Sequence, residues 1–166
     1  MTSLTSLLGR RCLPLLAGCL FAVPTTAQCT TLGTTAYWET TWAGCATQSV
    51  LTPSGNPVLG TVISLHTDNL PPLALLVGTL ILLPPTPLGT PTTNLFSYPL
   101  LTGCSNYLPN ATDLVITLPV SGATDIALAI PNNLFWLGKV LHCQSAVLTL
   151  GFDIEMSNAM CLHLGY

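Results

Sequence analysis

Apolar residues in this chain come in short runs rather than at helical spacing, and Pro, Gly and Asn break the runs about every ten residues. In 124–130, Ile126, Leu128 and Ile130 occupy alternate positions, and in 159–164 Met160, Leu162 and Leu164 do the same, with smaller or polar residues between. A period of two places each set on one face, so both segments read as half-buried strands. Further strands are predicted over 36–42, 47–52, 60–66, 73–83, 95–98, 105–108, 113–119 and 139–150. The run 73–83 is bracketed by Pro71-Pro72 and Pro84-Pro85 and is too short to cross a bilayer as a helix. It reads as a buried strand pair or one long central strand, with Gly78-Thr79 tolerating a bend or bulge. Fourteen prolines preclude much helix, because each costs about 3 kcal/mol in a helix interior. A single helical turn is expected after Pro131, over 132–137. The elements predict an all-β chain, an antiparallel two-sheet β-sandwich of jelly-roll or immunoglobulin-like type.

Charge changes that picture by exclusion. Lys and Arg number 3 and Asp and Glu 6 in 166 residues, about 5% against the usual quarter. So few charges rule out a disordered tail or a coiled coil, and beyond Arg10 and Arg11 the only cation is Lys139. Nucleic acid is therefore excluded as a partner. With so little charge, Thr, Ser and Asn are expected to face water on the outer sides of the sheets.

The first 27 residues have the three parts of a secretory signal: Arg10-Arg11, an apolar stretch from Cys12 to Val23, and small residues at Thr25 and Ala27. Cleavage is expected between Ala27 and Gln28, which makes 28–43 an N-terminal extension carrying the first strand. Leu16-Ala17-Gly18-Cys19 also spells a lipobox, so acylation at Cys19 is the competing reading, although the apolar run continues past it. The twin arginines lack a fuller export motif around them. The mature chain then has 166 − 27 = 139 residues and a formal charge of 1 − 6 = −5. No membrane-spanning segment is expected after signal removal. The expected address is secreted, extracellular or cell-surface, where cysteines oxidise. Five remain: Cys29, Cys45, Cys104, Cys143 and Cys161.

A set of small motifs runs through the second part of the chain. They are Gly44-Cys45, Pro57-Val58-Leu59-Gly60-Thr61, Asp68-Asn69-Leu70-Pro71-Pro72, Gly103-Cys104, Ser121-Gly122-Ala123, Ile130-Pro131-Asn132-Asn133, Leu137-Gly138, Gln144 and Ser157-Asn158-Ala159. In this order, from Gly44 to Tyr166, the chain resembles the C-terminal β-sandwich domain of uncharacterised secreted proteins of planctomycete-type bacteria. The resemblance implies a sandwich over 44–166 and an extracellular address, and no activity. The chain departs from that pattern at Gly151-Phe152-Asp153-Ile154-Glu155 and in Cys143 and Cys161. Some of these motifs have independent reasons: Ser121-Gly122 suits a hairpin turn, and Pro131 with Asn132-Asn133 ends a strand in a tight turn.

Cysteine pairing is the first candidate chemistry. Cys45 and Cys104 both follow glycine and both match positions of the resemblance, which makes them the preferred bond. If 139–150 and 159–164 form a hairpin centred near Phe152, Cys143 faces Cys161 and the two form the second pair. Cys29 is then the odd thiol, or it pairs with Cys45 and leaves Cys104 free. His142-Cys143 and Cys161-Leu162-His163 also resemble metal-ligand clusters, but alternation sets His142 on the face opposite Cys143, Cys161 and His163. No metal or other cofactor is therefore expected.

Catalytic motifs are not apparent: no G-x-S-x-G, H-E-x-x-H or glycine-rich phosphate loop occurs, and no catalytic residue is assigned. His66 and Asp68 share one side of a strand end, which reads as a surface contact before a catalytic pair. Asp153 and Glu155 near Asp125 have the composition of a calcium site or a glycosidase pair, against a plain reading as loop charges. Tyr37, Trp38 and Trp42 are candidates for stacking on sugar rings, against a plain reading as a core plug. Asn110-Ala111-Thr112 spells a glycosylation sequon that carries no meaning in a bacterial chain. The expected function is a secreted, non-catalytic structural or interaction module with an envelope, matrix or carbohydrate partner. A carbohydrate-binding module is the alternative and a secreted hydrolase a remote one.

Overall fold

The structure, a computed structural model, describes Cys29, residues 33–45 and residues 49–166. The signal over 1–27, the Ala27-Gln28 cleavage point, the lipobox at Cys19 and the start of the strand expected over 47–52 lie outside the described residues. Within them the chain forms β1 Tyr37–Trp42, β2 Val50–Pro53, β3 Val62–Asp68, β4 Ala74–Leu82, β5 Asn94–Leu95, β6 Tyr98–Pro99, β7 Asp113–Thr117, β8 Thr124–Ala129, β9 Val140–Thr149 and β10 Ile154–His163. A 3-10 turn at Leu134–Trp136 is capped by Asn133, whose side chain accepts from the Phe135 N–H. It occupies the place of the expected helical turn.

A five-stranded sheet has the order β1-β10-β9-β4-β7 and a three-stranded sheet the order β2-β3-β8, every strand pairing being antiparallel. Leu51, Ile63, Leu65 and Ile126 of the smaller sheet meet Ile81, Leu141, Met160 and Leu162 of the larger one across the principal core. This all-β, antiparallel arrangement is that of a β-sandwich. Ser121 and Gly122, both at positive φ, turn the chain between β7 and β8, as Ser-Gly at that position predicts.

The second face of the large sheet is also covered. Segment 83–112 lies over it and packs Leu95, Cys104 and Leu108 against Leu80, Leu82, Ala146 and Met156. The expectation of a half-buried final strand is corrected on this point: from Met156 to His163, β10 is buried on both faces. Two expected strands in the covering segment are absent. Phe96 and Ser97 adopt positive φ and fold 94–99 into a two-residue ribbon, and Asn106 makes a single bridge to Thr92 within 105–108. Thr and Ser do not all face water either. Thr67, Thr79 and Ser145 are buried between the sheets, with Ser145 Oγ 2.9 Å from Thr67 Oγ1 and 3.2 Å from Thr79 Oγ1, so each hydroxyl finds a partner there.

A β-bulge in β10 joins these layers. The register pairs Met156 with Ala146, slips, and resumes with Ala159 opposite Gln144. Ser157 and Asn158 occupy the slip and their side chains stand in for the interrupted ladder. Ser157 Oγ accepts from Ser145 N–H (2.8 Å), and Asn158 Oδ1 accepts from Leu51 N–H (2.7 Å) while its amide donates to Leu51 O (3.0 Å). Asn158 thus bonds to β2 of the opposite sheet as a strand would. Gln144 donates to Ser157 O and Ser105 O, both at 3.0 Å, and accepts from Tyr107 N–H at 2.9 Å, tying the bulge to the covering segment. Gly44 lies directly on the bulge: a Cβ there would overlap the Ser157 carbonyl carbon and Met156 O.

Truncating Asn158 to Ala leaves two buried backbone groups of Leu51 unpaired and is expected to cost about 2–4 kcal/mol, read as a lower denaturation midpoint. Gly44→Ala is expected to cost about 1–3 kcal/mol by overpacking, and Gly55→Ala, with open space around it, close to nothing. Equal midpoints for the two glycine variants would show that the bulge tolerates displacement.

Candidate functional site

The bulge decides which side chains meet on the covered face of the large sheet. Beyond it Cys161 pairs across to His142 on β9 and to Glu39 on β1, while Cys143 is opposite Met160. This corrects the expected Cys143–Cys161 bond. A symmetric hairpin about Phe152 would align those two positions, but the register is one residue removed from it, and a one-residue slip sends the two side chains to opposite faces. Cys143 is a buried free thiol in the inter-sheet core, and burial pushes it up to about 12, far from a reactive thiolate. Cys161 is instead joined to Cys29, and Cys45 to Cys104. The described residues thus assign every cysteine from Cys29 onward.

The same slip removes the alternation objection to a cluster. His142, Cys161 and His163 share one face, and Cys143 is the residue set apart. His142 Nδ1 lies 3.3 Å from Cys29 Sγ and 3.4 Å from Cys161 Sγ. Burial, with a smaller contribution from His163, pushes the His142 imidazole down to about 4, so the ring is neutral near pH 7. His163, buried beside it, lies with Nε2 3.0 Å from Glu39 Oε1, and its ring stacks on Tyr37 at 3.9 Å. Thr41 Oγ1 lies 3.8 Å from Cys161 Sγ. Among the described residues, Cys29, His142 and Cys161 are the one group of three metal-competent donors, with their donor atoms within 4.8 Å of one another.

A second cluster lies on the outer face of the small sheet. His66 Nδ1 is 2.8 Å from Asp125 Oδ1 and His66 Nε2 is 2.9 Å from Asp68 Oδ1, so the imidazole is held between two carboxylates. The hydrogen bond to Asp125 is the main cause that raises the His66 pKa above 6.5, and the same bond, with one from Ser64 Oγ, lowers that of Asp125. Ser64 donates to the carboxylate and not to the imidazole, so no hydroxyl is set against a base here. Asp125 is thereby engaged, and Asp153 and Glu155 belong to the β9–β10 hairpin region; the three form no donor cluster among the described residues.

The aromatic candidates do not form one platform. Tyr37 is stacked on His163, Trp42 is stacked on Tyr107 at 5.1 Å, and Trp38, 37% exposed, lies on the opposite side of β1 from Tyr37. The apolar surface is elsewhere. β7 is an edge strand of the large sheet, and Leu114, Ile116, Leu118 and Val120 are exposed along it and its turn, the last three by more than 60%. The Cys29 partner and the β7 edge were not legible as sites, since neither has a local motif.

No helix among the described residues is long and apolar enough to cross a membrane. Comparison of the chain with protein-family models, curated proteins and solved structures returned no match.

The pair His66–Asp125 has a definite pH signature. His66 binds its proton more tightly when folded, so its contribution is complete below pH 6.5 and is lost as pH rises through its raised folded value. Asp125 contributes above pH 3.8 and loses its contribution as pH falls through its lowered value. An NMR titration is expected to place His66 above 6.5 and to show a lower value in Asp125→Asn; an unchanged His66 titration in that variant would contradict the assignment.

Proposed function

We propose that the chain is an exported β-sandwich that acts as a non-catalytic structural or interaction module of the cell exterior and associates through the edge of β7. The signal-like 1–27 segment and the two disulfides support an oxidising address. The observation that carries the reading is the unguarded edge. Edge strands in natural proteins are blunted by Lys, Pro, bulges or a covering segment. β7 has none of these along its length: its one charge, Asp113, stands at its start, and Pro119 follows its end. Its outward backbone groups and the side chains of Ile116, Leu118 and Val120 together offer a strand-pairing site flanked by apolar surface. The carbohydrate reading has less support, since Tyr37 and Trp42 are already stacked within the fold.

Sedimentation of the purified protein over a range of concentrations, with and without envelope material from the producing cell, tests this. The wild type is expected to self-associate or to sediment with the envelope, and Ile116→Lys and Leu118→Lys to lose at least 10-fold in that association with unchanged thermal melting. A wild type that stays monomeric and unbound, or lysine variants that associate equally, would overturn the reading.

A further inference from the structure

The Cys29, Cys161 and His142 arrangement has a chemistry that the β7 edge does not use. We propose that these three residues form a thiol-gated site for a divalent, thiophilic metal ion of the zinc type, open when the two cysteines are reduced and closed when they are joined.

Three segments converge on this point, one of them more than a hundred residues from the other two. Cys29 comes from the segment before β1, His142 from β9 and Cys161 from β10, and the two sulfurs lie 3.3 and 3.4 Å from the same imidazole nitrogen. The two nitrogen-to-sulfur spacings are those of ligands around one tetrahedral ion with metal–sulfur bonds of about 2.3 Å and metal–nitrogen bonds of about 2.0 Å. The two sulfurs, bonded to each other here, must separate to about 3.8 Å on reduction for the ion to enter between them. Nδ1, the atom that would bind, faces both sulfurs. The charge also balances, since two thiolates and a neutral imidazole cancel a divalent cation in a partly buried place, where an uncompensated charge would be costly. His163, engaged with Glu39 and Tyr37, is a neighbour of the site and not a fourth ligand. Three protein donors leave one coordination position for water or an external ligand, on the side where Cys29 and His142 are only half-buried.

Opening proceeds by thiol–disulfide exchange with an external dithiol. That reductant leaves as its own disulfide, and Cys29 and Cys161 take up two electrons and two protons. The ion then displaces the two thiol protons and forms two metal–sulfur bonds and one metal–nitrogen bond, so one divalent cation is exchanged for two protons. Oxidation of the cysteines closes the site and releases the ion. Cys143 takes no part, being buried on the other face.

Cobalt(II), which reports thiolate ligation by its charge-transfer absorption, is the probe. Titrated into the full protein reduced with a phosphine, it is expected to bind one ion per chain with thiolate bands that zinc(II) displaces, and to show no such bands in the oxidised protein. His142→Gln, which keeps the disulfide and whose oxidised form is checked by thermal melting, is expected to bind at least about 100-fold more weakly. Cys29→Ser is expected to abolish the thiolate bands and Cys143→Ala to leave them unchanged. Absence of thiolate bands in the reduced wild type, or wild-type affinity in His142→Gln or Cys29→Ser, would overturn the proposal. The last of these would assign binding to the reduced Cys45 and Cys104 instead.

Discussion

The interrupted ladder at Ser157 and Asn158 is the constraint on which the rest of the structure depends. A bulge leaves backbone groups unpaired, and in a strand covered on both faces water cannot satisfy them. Ser157 serves Ser145 of the same sheet, Asn158 serves Leu51 of the opposite sheet, and Gln144 links the bulge to Ser105 and Tyr107 of the covering segment. Three layers are therefore bonded at one point by side chains that act as backbone. The bulge also re-aims every residue after it. Without the slip, Cys161 and His163 would have pointed into the inter-sheet core and Met160 and Leu162 away from it.

Low charge and a two-sided main sheet follow from one another. A central strand buried on both faces needs apolar or self-satisfied polar residues on both, and β9 and β10 supply Leu, Val, Met, Ser, Gln and Asn in that role. The covering segment has little regular structure of its own and is held by the Cys45–Cys104 bond, by Asn106 and by Gln144. The bonds close sequence separations of 59 and 132 residues. Loops of that size each contribute roughly 4–5 kcal/mol in the chain-entropy account, and because one loop lies within the other the two do not add.

The strands were legible because their cause is local. Alternation at Ile126, Leu128 and Ile130, the Ser121-Gly122 turn and the Pro brackets around 73–83 each act over a few residues, and each corresponds to an element in the structure. What was not legible depends on register. The hairpin between β9 and β10 has no sequence mark for a slip except the pair Ser157-Asn158, whose polar side chains specify no register until their partners 12 and 107 residues away are known. One residue of slip reversed the disulfide assignment and the face of His142 together. The covering of the second face was hidden for the same kind of reason, since segment 83–112 has neither period two nor helical period to announce that it packs on anything.

His66 and His142 show how far surroundings decide what one residue type can do. His66 lies at the surface between two carboxylates, which stabilise the imidazolium and occupy both ring nitrogens. Neither nitrogen is directed at a second soft donor. His142 is half-buried beside two sulfurs, where desolvation disfavours the imidazolium and leaves the ring neutral with Nδ1 directed at both. Coordination needs a lone pair aimed at a point that softer donors also face, and only the second histidine meets that condition. The difference originates in the bulge, because it is the register beyond Ser157 and Asn158 that sets Cys161 opposite His142, where the register before it would have set Cys161 opposite Leu141.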